Sequence, residues 1–318
     1  MIVGVCRDVT TAGRWSKMRF DQLPRSEQIE DRRGDTRRRF PMGRAGGIGI
    51  GTLLLLTAVG WALGINPIYL IGGAEILSGL RGPQQQQTQS TNTKADPGSD
   101  RAGEFVAAVL GSTEAQWKEI FAQSGQTYEP PTLVMFSGAT PSACGYAQSA
   151  MGPFYCPNDR KIYLDTTFFD DLERRFRGCD VGSKACQFSQ AYVITHEVGH
   201  HVQNLLGILP QVQQRQLALD QADSNQLQVR VELQADCLAG VWGHYAADRW
   251  RIIEPGDVEA AIQTASAIGD DRLQRRGQGY VVPDAFTHGS SAQRTRWFLT
   301  GLKSGKIASC DTFQAEPL

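Results

Sequence analysis

The residues best suited to chemistry lie in Thr195-His196-Glu197-Val198-Gly199-His200-His201, where the spacing His-Glu-x-x-His falls inside a stretch with helical periodicity. On an α-helix His196 and His200 stand one turn apart on one face, so two imidazoles reach a single metal ion. Glu197 sits about 100° round from His196, near enough to the metal's open side to hold a water. A catalytic zinc usually takes three protein ligands and leaves a fourth position for water, so a third ligand is required. A His-Glu-x-x-His-x-x-Gly-x-x-His pattern would supply it nearby, but Gln203 and Leu206 occupy those positions. Downstream, Val231-Glu232-Leu233-Gln234-Ala235-Asp236 lies in a second helical stretch, with Glu232 and Asp236 four apart on one face. Their neighbours are apolar, and an unpaired carboxylate is costly in such surroundings. Glu232 is therefore the expected third ligand, and Asp236 the expected acceptor for the free ring nitrogen of a histidine ligand.

These residues need helices to carry them. Ile194, Val198, Val202 and Leu205 form an apolar stripe away from the histidine face, and Gly207 and Pro210 end the helix. The second helix is expected from Leu227 to Trp250. Of the remaining histidines, His201 points away from His200 and His244 lies two turns beyond Asp236, so neither is expected at the metal. His288 sits in a loop before Ser290-Ser291-Ala292-Gln293, a capping-box pattern that opens another helix. From there it could donate to a developing oxyanion; a purely structural role fits it equally well. Short strands are expected at Thr132–Phe136 and Lys161–Asp165.

The chain has 318 residues, a net charge of −1 and 41% hydrophobic residues, the profile of an ordinary folded protein. No basic excess and no helix-turn-helix or zinc-finger spacing points to nucleic acid. Residues 1–44 are polar and arginine-rich toward their end, and read as a cytoplasmic basic arm. The charge-free run within 45–71 has the length of a bilayer crossing and reads as a single transmembrane anchor. Arginines precede it, which puts the N-terminus in the cytoplasm. Residues 80–102, with the run Gln84-Gln85-Gln86-Gln87, read as a flexible linker, and 103–318 as the folded domain. The domain is thus expected on the extracytoplasmic side of a membrane that it is anchored to by one span. Six of the seven cysteines fall after residue 140, which suits disulfides in an oxidising compartment. If sequence neighbours pair, Cys144 joins Cys156, Cys179 joins Cys186, and Cys237 is left for Cys310; other pairings of the six stay open.

Taken together, His196-Glu197-Val198-Gly199-His200-His201-Val202-Gln203, Glu232-Leu233-Gln234-Ala235-Asp236-Cys237, Ala267-Ile268-Gly269-Asp270-Asp271 and Phe286-Thr287-His288-Gly289-Ser290-Ser291-Ala292-Gln293-Arg294 resemble the bacterial membrane-anchored neutral zinc metallopeptidase family. The start Met18-Arg19-Phe20, followed by Asp31-Arg32-Arg33-Gly34, is similar as well and makes Met18 an alternative first residue. The resemblance implies an α+β, mainly helical zincin-like domain with a small sheet, one Zn2+ per chain, and a protein or peptide substrate. It further implies hydrolysis by a zinc-bound water with Glu197 as general base and, with the anchor, a bacterial inner-membrane location with the domain periplasmic or otherwise extracytoplasmic. By analogy with zincins whose third ligand is a later glutamate, Lys161–Asp165 is the expected strand edge for the substrate backbone. The competing reading is a non-catalytic, zinc-stabilised extracytoplasmic binding module, and oligomeric state is not readable from the residues.

Overall fold

The computed structural model describes residues 19–34, 101–174, 184–254, 256–272, 274 and 280–318. In chain order the main elements are β1 (Ile29–Asp31), α1 (Arg101–Gln123), β2 (Thr132–Phe136), β3 (Ala139–Ser142), β4 (Gly145–Gln148), β5 (Phe154–Cys156), β6 (Lys161–Asp165), α2 (Phe168–Arg174), α3 (Lys184–Leu205), α4 (Ile208–Gln216), α5 (Gln221–Asp248), α6 (Asp257–Ala267) and α7 (Ser291–Ser304). The fold is α+β, mainly helical with a small sheet.

The two long helices form where the apolar pattern places them. Ile194, Val198 and Val202 on α3 are essentially fully buried, and Gly207 adopts φ 74°, a conformation that favours glycine and ends the run. Asp220 caps α5 by accepting from the Asp223 N–H at 2.9 Å. The expected capping box opens α7, with the Ser290 side chain accepting from the Gln293 N–H and Gln293 returning to the Ser290 N–H. Helix α5 is the centre of the helical layer, buried for most of its length. Gly240 lets α7 lie directly on it, since a Cβ there would stand 2.1 Å from the Phe298 carbonyl oxygen.

The sheet runs β1-β2-β6-β5, with β1 parallel to β2, β2 parallel to β6, and β5 antiparallel to β6. Two expectations change here. Lys161–Asp165 is not an edge: it lies inside the sheet, and the edge strands are β1 and, beside β6, β5. The second concerns the N-terminal arm. Residues 19–34 are built into the domain, with Phe20, Leu23 and Ile29 buried and Ile29 paired with Leu133. Ser26 donates its N–H to the Ala107 carbonyl at 2.9 Å, and the chain passes so close to α1 that a Cβ on Gly111 would stand 2.4 Å from the Pro24 oxygen.

This corrects the expected single-pass inner-membrane location. A lone crossing at 45–71 would put β1 and β2 on opposite sides of the bilayer, yet they are hydrogen-bonded neighbours. Among the described residues no helix is long and apolar enough to cross a membrane. The run at 45–71 itself, and most of the 80–102 segment, lie outside the described residues.

Cys144 is bonded to Cys156 and Cys237 to Cys310, with Cα–Cα distances of 5.8 and 5.5 Å. The first ties the β3–β4 hairpin to β5; the second fastens the C-terminal tail to α5. Cys186 is also disulfide-bonded, while Cys179 lies outside the described residues.

Candidate metal centre

Helices α3 and α5 approach closely at Gly199, where a Cβ would stand 3.0 Å from the Ala235 carbonyl oxygen. That contact brings His196 and His200 against Glu232. Glu232 Oε2 lies 3.2 Å from His196 Nε2 and 3.5 Å from His200 Nε2, and the three residues offer ligand atoms within 4.8 Å of one another. A tetrahedral zinc with bonds of about 2.0–2.1 Å has ligand–ligand edges of roughly 3.3–3.4 Å, so the observed spacings fit such an ion.

The outer ring nitrogens are also held. His196 Nδ1 is 2.8 Å from Asp236 Oδ1, and His200 Nδ1 is 2.9 Å from Gln203 Oε1. Both acceptors call for a proton on Nδ1, which leaves each Nε2 lone pair facing Glu232. Burial works against a charged His196, but Asp236 and Glu232 reverse that and push its pKa up to about 10. Burial likewise opposes ionised Glu232, and the two histidines overcome it and hold the carboxyl well below its ordinary range. The electrostatics of this spot therefore favour positive charge, which a divalent cation satisfies as well as protons do.

Asp236 is itself anchored. Fully buried, it accepts two hydrogen bonds from Arg294, Nε to Oδ2 and Nη2 to Oδ1, both at 2.8 Å, and a third from the Tyr192 hydroxyl at 2.5 Å. Burial would raise its pKa, yet Arg294 and His196 bring it down to about 2. No sequence signal marks Tyr192 for this contact, and Arg294 shows only as a member of the resembling C-terminal motif. Gln228, one turn before Glu232, donates to its Oε1 at 3.0 Å.

Glu197 faces the same space. Burial raises its pKa and the two histidines oppose the rise, and Tyr155 of β5 lines the same space. A cavity of about 650 Å³ opens onto His196, Glu197, His200 and Glu232, with Phe154 and Tyr155 on one wall and Leu209 and Val212 on another. His288 lines this cavity too. Its loop folds round Asp270, whose Oδ2 accepts the N–H groups of Thr287, His288 and Gly289 at 2.7, 2.6 and 3.1 Å. The His288 ring is 3.3 Å from Asp270 Oδ1, and that hydrogen bond raises its pKa although burial opposes it. His201 turns away from the cavity, between the Glu129 carbonyl at 2.7 Å and the Tyr155 hydroxyl at 3.1 Å. His244 bonds the Leu302 carbonyl and takes no part.

No solved structure matches the chain. The uncharacterized protein YpfJ of Escherichia coli (strain K12) is 45% identical over 304 residues, covering 93% of this chain and 99% of that protein. The uncharacterized protein Rv2575 of Mycobacterium tuberculosis (strain ATCC 25618 / H37Rv) is 43% identical over 222 residues, covering 67% of this chain and 71% of its own length. A family model described as "Putative neutral zinc metallopeptidase" matches residues 18–313, and the chain belongs to that family.

Proposed function

We propose that the chain is a zinc-dependent endopeptidase of zincin type, with His196, His200 and Glu232 as the metal ligands. The observation that carries this reading is the buried carboxylate of Glu197 beside a three-ligand cluster at the floor of an open cavity. Zinc, when bound, supplies a Lewis acid that makes water acidic near neutrality and polarises the scissile carbonyl. Glu197 takes a proton from the attacking water and returns it to the leaving amine. Its carboxylate is buried beside the ligand cluster, so bulk water does not compete for the proton it carries. Asp236 keeps the His196 ring in one tautomer, and Arg294 keeps Asp236 in place. His288, oriented by Asp270, donates to the oxyanion that develops on the carbonyl.

The outer edge of β5, paired with no further strand among the described residues, fits an extended peptide laid beside it by strand addition. Phe154 and Tyr155 of this strand line the same cavity as Glu197, so a backbone bound along it passes over the site. A cavity open to the surface suits a cut within a chain. A zinc-stabilised binding module would close the ion with a fourth protein ligand; among the described residues the cluster has three.

The test is a peptide-library digest by the full chain, run beside its Glu197→Gln form with zinc content measured on both. The variant should keep its zinc and lose about 10²–10⁴-fold in cleavage rate. Cleavage at the parent rate by the zinc-loaded variant removes Glu197 from the reaction and the proposal with it.

A further inference from the structure

His196 has a carboxylate to orient it, but His200 has only the amide of Gln203, whose two ends could in principle exchange. The surroundings forbid the exchange. The Gln203 side chain is completely buried, and its nitrogen lies 2.8 Å from the Val231 carbonyl oxygen, a group that can only accept. The same nitrogen lies 2.9 Å from Gln234 Oε1. The direction of Gln234 is fixed in turn, because its nitrogen donates to the Cys310 carbonyl at 3.0 Å. Gln203 must therefore present its oxygen to His200 Nδ1.

The far end of this chain is the C-terminal tail. Cys310 is bonded to Cys237 on α5, one turn beyond Gln234's neighbour Leu233. Thr312 donates its hydroxyl to the Arg230 carbonyl at 2.6 Å, and the Arg230 guanidinium donates back to the Thr312 carbonyl. The tail is thus tied to the same helix that carries Glu232.

We propose that Gln203 and Gln234 form a hydrogen-bond relay of fixed direction, from the tail carbonyl of Cys310 to His200, which sets the tautomer of that ring and through it the affinity for zinc. The inference rests on the reading of His200 as a zinc ligand. Both glutamines are positioning residues: neither touches substrate, and Gln203 acts through His200 alone. Reversing any amide would set two acceptors or two donors against each other in a buried space, so the relay has one low-energy direction.

Two measurements on the full chain test it. In metal-free protein at alkaline pH, where the ring is neutral, nitrogen NMR should find His200 protonated on Nδ1. Gln203→Met should let the Nε2–H form appear and weaken zinc binding, read by competition with a chelator, by about 10–100-fold. Gln234→Met, which leaves Gln203 its Val231 partner, should move both readouts the same way by less. Gln203→Met that folds with the parent's circular dichroism, tautomer and zinc affinity overturns the relay. So does a wild-type His200 protonated on Nε2, a result that needs no variant to fold. Failure of the wild-type chain to bind zinc counts instead against the ligand set, which keeps the two proposals separable.

Discussion

Asp236 is the strongest place to test the architecture by perturbation. Its side chain is 0% exposed and that of Arg294 is 3% exposed, so neither charge has water to fall back on. Asp236→Leu removes the acceptor for two Arg294 N–H groups, for the Tyr192 hydroxyl and for His196 Nδ1. A buried ion pair broken on one side typically destabilises by about 3–5 kcal/mol, because the surviving charge is left unpaired. Arg294→Met leaves Asp236 with His196 and Tyr192, and should cost less. The double variant Asp236→Leu/Arg294→Met strands no guanidinium, so it should be more stable than the sum of the single changes by roughly 1–3 kcal/mol. Urea unfolding of metal-free protein gives all three values without the contribution of bound zinc. The reasoning is refuted if Asp236→Leu costs under about 1 kcal/mol, or if the two changes simply add.

Three further outcomes are expected. His201 is held neutral, since burial lowers its pKa to about 4 from 6.5 although the Glu129 carbonyl opposes the shift. The unfolded chain gains that proton first, so stability is full above pH 6.5 and falls toward pH 4, by roughly 3 kcal/mol for this residue; His201→Gln should flatten that part of the stability–pH curve. Gly199→Ala should lower both melting temperature and zinc affinity despite alanine's helix preference, because the new Cβ stands 3.0 Å from a backbone oxygen that cannot swing aside. Replacing Cys237 and Cys310 by serine opens a loop of sequence separation 73 and should cost about 4 kcal/mol by chain entropy, against about 3 kcal/mol for the Cys144–Cys156 pair with separation 12. Denaturant titration of the two serine pairs checks the order.

Much of the centre was legible because its spacing is local. His196 and His200 one turn apart, and Glu232 and Asp236 one turn apart on an otherwise apolar helix, declare their faces without knowledge of the fold. Gly199 sits inside the motif, but its purpose belongs to α5 and not to α3. Arg294 was hidden for the same reason: an arginine in an amphipathic segment reads as a surface residue until a buried carboxylate is found opposite it. Asp270 passed as one of two adjacent aspartates, since its partners are backbone N–H groups of a loop. The sheet was harder still. Three residues at Ile29–Asp31 show no periodicity, and the order that makes β5 an edge depends on pairings between strands, which no single strand encodes.

The parallel pairing of β1 with β2 has a consequence in time. About 100 residues separate the two strands, and at a synthesis rate of roughly 5–20 residues per second the first waits about 5–20 s for its partner to be made. Until α1 and then β2 are made, Phe20, Leu23 and Ile29 lack the surfaces that bury them in the folded domain. Strands β2 and β6 are far closer in sequence and can pair as soon as both emerge, so β1 docks onto a sheet younger than itself.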